Sequence, residues 1–129
     1  MTRFPRFLVL VALIALTPTV LAAGGLDFAS RVAGMKAVEG VYWAHRIWPA
    51  ENRAPKPALG YVLSDDVVRQ RAQQVIDDSV ELEQVYGVHV SSAMLQAEVE
   101  RMARETRAGA VLRELFEALN DDPVLVAEC

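Results

Sequence analysis

Residues 86–91 read Tyr-Gly-Val-His-Val-Ser and separate two long helix-forming runs. This short break constrains the fold more than any other feature. Gly87 stands where a helix C-terminus needs a residue that tolerates positive φ. Ser91 or Ser92 stands where the next helix needs a side-chain oxygen for its free amides. Val88 and Val90 alternate between these ends, so the connection can tuck apolar groups under both helices. A chain punctuated this way folds as helices joined by short loops. The expected class is all-α, with four to five helices.

The N-terminus has a different pattern. Arg3 and Arg6 precede an unbroken apolar run at residues 7–16, Thr17-Pro18-Thr19 interrupts it, and Val20-Leu21-Ala22 follows. That is the three-part layout of a secretory signal peptide, with cleavage expected after Ala22. The run is shorter than the ~20 residues that span a bilayer, so cleavage is expected rather than anchoring, with membrane contact only transient. The location implied is periplasmic or secreted. Of 13 basic and 17 acidic residues, Arg3 and Arg6 leave with the leader, so 11 remain against 17 and the net charge is −6. An acidic chain without a basic patch is a poor nucleic-acid binder. Cys129 is the sole cysteine, so an exported domain of this kind has to be held by its core and not by disulfides.

The remainder divides into residues 23–63 and residues 64–129. A first helix is expected at about 26–47, where Phe28, Val32, Met35, Val38 and Tyr42 recur at three- and four-residue steps. Gly34 and Gly40 weaken it by up to about 1 kcal/mol each. Pro49, Pro55 and Pro57 make the following linker stiff and extended, and Gly60-Tyr61-Val62-Leu63 reads as a short extended piece. A second helix begins at Ser64, with Asp65 and Asp66 in its first turn favoured by the helix dipole. Val68, Ala72, Val75, Ser79, Leu82 and Tyr86 form its one stripe to bury. A third helix spans about 92–106, with Leu95, Val99, Met102 and Ala103 apolar. A fourth spans about 110–119 and is closed by Asn120. Asp122-Pro123 opens a fifth by the N-cap and first-position proline rule. That helix reaches only six residues on an apolar run, so further sequence is expected beyond Cys129.

No arrangement of residues carries catalysis. His45, His89 and Cys129 are not at metal-ligand spacing on one helix, so no metal is expected. Ser91 and Ser92 read as caps, and no nucleophile elbow surrounds any serine. The pairs Asp65-Asp66, Asp77-Asp78 and Asp121-Asp122 are helix neighbours or flank a helix start; on a helix, adjacent residues point about 100° apart and do not face one another. No glycine-rich phosphate loop is present, and no cofactor is expected.

Tyr42, Trp43 and Trp48 cluster at the end of the first helix. Tyr42 falls on the apolar stripe, Trp43 lies about 100° away, and Trp48 leads into the linker. Large aromatics dominate small cores, whereas half-exposed aromatic and methionine surfaces suit a peptide groove. The pattern leaves both roles open for these three residues and for Met94 and Met102, which together are the candidate peptide-binding set.

Residues 64–129 resemble the N-terminal domain of the SurA family of periplasmic chaperones and of related parvulin foldases. The resemblance is carried by Val75-Ile76 and Leu82-Glu83, by Gly87, Val88, Val90 and Ser91 in the break, and by Leu95, Val99 and Met102-Ala103 after it. Leu112, Leu115 and Phe116 continue it. It implies an ATP-independent holder of unfolded or exported polypeptides. The family's prolyl isomerase activity belongs to a parvulin domain that these 129 residues lack, so it attaches only to sequence beyond Cys129. The family's opening strand has no match in the proline-rich segment. A secreted helical adaptor that binds one specific protein is the alternative.

Overall fold

The computed structural model describes residues 25–129, and the expected signal peptide at 1–22 lies outside them. The protein is all-α, with six helices and no strand among the described residues. They are α1 (Phe28–His45), α2 (Leu59–Val62), α3 (Asp65–Tyr86), α4 (Ser92–Glu105), α5 (Gly109–Ala118) and α6 (Pro123–Glu128).

The helix ends follow from local chemistry. The Asp27 carboxylate caps α1, accepting from the Ser30 amide at 3.0 Å and from its hydroxyl at 2.6 Å. Ser64 caps α3 by accepting from the Val67 amide at 3.4 Å. Gly87 ends α3 in the left-handed region (φ 65°, ψ 20°), and its amide donates to the Glu83 carbonyl at 3.0 Å. The Val88 amide adds a second bond to the Leu82 carbonyl at 3.3 Å, and glycine takes this left-handed cap with no Cβ penalty. Of the two candidate serines, Ser91 caps α4, accepting from the Met94 amide at 3.3 Å. Asp122 caps α6 through the Val124 and Leu125 amides, with Pro123 at the first position. Asn120 and Asp121 both take positive φ (57° and 52°) in the turn from α5 to α6.

Two expectations are corrected. Gly60, Tyr61, Val62 and Leu63 are not an extended piece: the Tyr61 amide donates to the Ala58 carbonyl and the Leu63 amide to Leu59, closing the single turn α2. The stripe on α3 is buried only at its start. Val68 is 2% and Ala72 0% exposed, but Val75 is 42% and Tyr86 71% exposed. The stripe runs on past the point where anything packs against it.

The packing explains that limit. α1 is the centre and lies against α3, α5 and α6, while the main contact of α4 is with α6. Among the described residues the buried apolar side chains are only Val68, Ala72 and Leu119. Gly34 sits at the densest point: a Cβ there would fall 2.7 Å from Cys129 Sγ and 3.3 Å from Leu125 Cδ2. It allows the close approach of α6 that an alanine would obstruct. Beside it Arg31 is 8% exposed, and its guanidinium donates to the Glu128 carbonyl at 2.7 Å and pairs with the Glu128 carboxylate at 2.5 Å. Its Nε is buried without a partner. An ion pair thus joins the close packing of Leu125 and Cys129 on Gly34 in closing α6 onto α1. None of the helices among the described residues is long and apolar enough to cross a membrane.

Candidate functional site

Two open clefts are the candidates, and the residues of the expected peptide-binding set are divided between several places. The first cleft, of about 500 Å³, lies at the C-terminal end of α1 and includes Tyr42, Trp43, Leu59 and Val62 on its walls. The rest of its wall is largely charged: Glu39 and Arg71 are paired across it at 2.7 Å. Here Trp43 and Trp48 meet edge to face, with centroids 6.4 Å apart at 63°.

Both indoles are tied into the backbone. Trp43 Nε1 donates to the Pro57 carbonyl at 3.0 Å and Trp48 Nε1 to the Ala54 carbonyl at 2.9 Å. Lys56 lies over the Trp43 ring at 4.9 Å, and its ammonium donates to the carbonyls of Trp43, Ala44 and Arg46 at the end of α1. Arg46 approaches the same ring at 6.0 Å. A cation near the last carbonyls satisfies acceptors that have no intrahelical donor and favours the negative dipole end. This knot fastens the proline-rich linker to α1. Trp43 and Trp48 thus hold the linker to α1, while Tyr42, 54% exposed, presents its ring to solvent. Lys56 was not identifiable beforehand, because a lysine between two prolines carries no signal of its target.

The second cleft, of about 460 Å³, is bounded by the C-terminal half of α3, the loop between α3 and α4, the start of α4, and α6. Its walls are mainly aliphatic: Val75, Ile76 and Val80 from α3, Val90 from the loop, Leu95 from α4 and Ala127 from α6. The spacing of Ile76, Val80 and Glu83 places them on one helix face. The break motif therefore performs two tasks. Gly87 and Ser91 stop and restart the helix, while Val90 and Leu95 line the cleft and Val88 remains 42% exposed beside it.

Met94 and Met102 do not join the aromatic cluster. Both lie on α4, exposed by 53% and 42%, and Met102 borders a shallow depression with Leu112. Val75 and Tyr86 were read as stripe residues to be buried, and their exposure follows from the absence of a closely packed helix along that part of α3.

His45 Nε2 lies 2.7 Å from a Glu114 carboxylate oxygen and His89 Nδ1 lies 3.4 Å from Glu83. Among the described residues no group of three histidine, cysteine or acidic side chains could hold a metal. Cys129 Sγ points back toward the Arg31 carbonyl at 3.8 Å. Burial pushes its thiol above the ordinary range, against a smaller opposing pull from Arg31. A raised pKa leaves less thiolate and a poorer nucleophile. Compared with known proteins, the chain matches no family model, no curated protein and no solved structure.

Proposed function

We propose that this protein is an exported holding module that binds unfolded or partly folded envelope polypeptides in the aliphatic cleft between α3, the 87–91 loop, α4 and α6. The observation that carries this reading is the open apolar surface along the second half of α3 and the loop. Val75, Val80 and Val90, which line the cleft, are each more than 40% exposed. Contiguous exposed apolar surface rimmed by polar groups marks interaction sites. An open groove of valines and leucines recognises apolar side chains without selecting one sequence, which suits unfolded clients. The resemblance of residues 64–129 to the SurA-type domain supports the same reading, and the leader pattern supports an envelope location.

The test is light scattering of an aggregating, unfolded client with and without the protein, in the absence of nucleotide. Suppression that is lost in Val80→Asp/Val90→Asp is the expected result. Equal scattering with and without the protein refutes the reading. A stoichiometric complex with one folded protein and no effect on unfolded clients would instead establish the adaptor alternative.

A further inference from the structure

The two most exposed large apolar side chains lie where the charge of the chain turns positive. Ile47 is 86% and Tyr61 90% exposed. Tyr42 and Val62, also exposed, share the walls of the first cleft with Arg46, which puts α2 and the C-terminal end of α1 at one end of the molecule. Ile47 is not on a loose strand of chain. The Asn52 amide donates to the Pro49 carbonyl at 3.1 Å, and the bonds of Trp43, Trp48 and Lys56 tie residues 46–57 back onto α1. Residues 36–71 hold six basic and four acidic side chains, a net +2, whereas the rest of residues 23–129 holds five against thirteen, a net −8. At this end Glu39 is paired with Arg71, Asp65 with Lys36, and Glu114 of α5 with His45. Glu51 is the one carboxylate within residues 42–63. Arg46, Arg53 and Lys56 form no ion pair among the described residues.

We propose that this end of the molecule makes a reversible contact with the surface of an anionic lipid bilayer. Ile47 and Val62 enter the boundary between headgroups and acyl chains, and Tyr42 and Tyr61 sit at headgroup level, where amphipathic rings are favoured. Arg46 and Arg53 meet lipid phosphates, with their alkyl stems adding apolar contact. A lipid surface sums charge over a screening length of ~10 Å. It therefore responds to the net charge of the whole end and not to the direction of any single side chain. The net −8 elsewhere turns the remaining surface away and orients the molecule. None of the residues lining the first cleft lines the aliphatic cleft, which Gly25 and Leu26 border ahead of the opposite end of α1. Lipid contact and client holding therefore use different residues, and failure of either leaves the other standing.

The test adds vesicles of phosphatidylcholine, with or without about one third phosphatidylglycerol, to the chain from Ala23 onward, so that the apolar run at 7–16 contributes nothing. Trp43 and Trp48 are the only tryptophans and both lie at this end, so their emission reports the contact directly. Flotation measures the bound fraction. The expected result is a blue shift and partitioning about ten-fold stronger to the anionic vesicles in ~20 mM salt, shrinking to about two-fold in ~0.5 M salt, where screening is nearly complete. Ile47→Asp/Tyr61→Asp abolishes binding; both positions are exposed, and circular dichroism verifies the fold. Arg46→Gln/Arg53→Gln removes the preference for anionic vesicles. Binding to neither composition, equal binding to both, or binding that survives Ile47→Asp/Tyr61→Asp each overturns the proposal. So does a dimer in sedimentation that Ile47→Asp/Tyr61→Asp dissolves, which would assign this end to a second copy of the chain.

Discussion

Replacing Arg31 by methionine tests how the domain is closed. Methionine keeps much of the apolar stem but removes the guanidinium that donates to the Glu128 carbonyl at 2.7 Å and pairs with its carboxylate at 2.5 Å. Removing one partner of a buried ion pair costs about 3–5 kcal/mol, because the other charge is left uncompensated. The Glu128 side chain is 26% exposed, so water recovers part of that loss. Removing the buried Nε that has no acceptor recovers a little more. The net expectation is about 2–3 kcal/mol, a substantial share of the roughly 5–15 kcal/mol that holds a domain together. With a urea m-value of about 1–3 kcal/mol per M, the midpoint falls by about 0.7–3 M. The assay is urea unfolding followed by circular dichroism and by Trp43 and Trp48 emission, which coincide if unfolding is two-state. Because the main contact of α4 is with α6, faster amide exchange should appear in α4 as well as α6. A midpoint shift below about 0.3 M, or loosening confined to α1, would refute the view that this pair closes the fold.

Gly87→Ala places a Cβ at φ 65° and should cost about 1–2 kcal/mol by urea unfolding. Gly34→Leu should release α6, read as loss of cooperative unfolding, because even a Cβ would lie 2.7 Å from Cys129 Sγ. Lys56→Met removes the donor to the last α1 carbonyls; it should cost about 1–2 kcal/mol, red-shift tryptophan emission and speed proteolysis within the proline-rich linker. Stability should fall in acid. Hydrogen bonds from Ser30 to Asp27, from Lys36 to Asp65 and from Arg101 to Glu98 hold these three carboxyls below their ordinary values. Their contributions are complete above the ordinary carboxylate range and disappear as pH drops through the lowered folded-state values. Urea midpoints measured at pH 6 and at pH 3 give the comparison, with the lower midpoint expected at pH 3.

The sequence alone determined the local structure. Asp122-Pro123, Ser64 and the Gly87 to Ser91 break placed helix ends correctly because caps act within four residues of the groups they satisfy. The all-α class followed from those caps and from 3.6-residue periodicity. Tertiary structure decided which apolar residues are covered. An amphipathic stripe records a preference for burial, but the partner that would bury it can lie on any other helix. On α3 the same stripe is covered at Val68 and open at Val75 and Tyr86, and nothing in its pattern marks the change. The aromatic cluster was visible in sequence, yet its binding to Lys56 and to the linker carbonyls was not, since those bonds depend on how the chain folds back. The closure of α6 by Arg31 and Glu128 joins residues 97 positions apart. Such a contact has no local signature, because its stability comes from excluding water between two surfaces that meet only in the folded state.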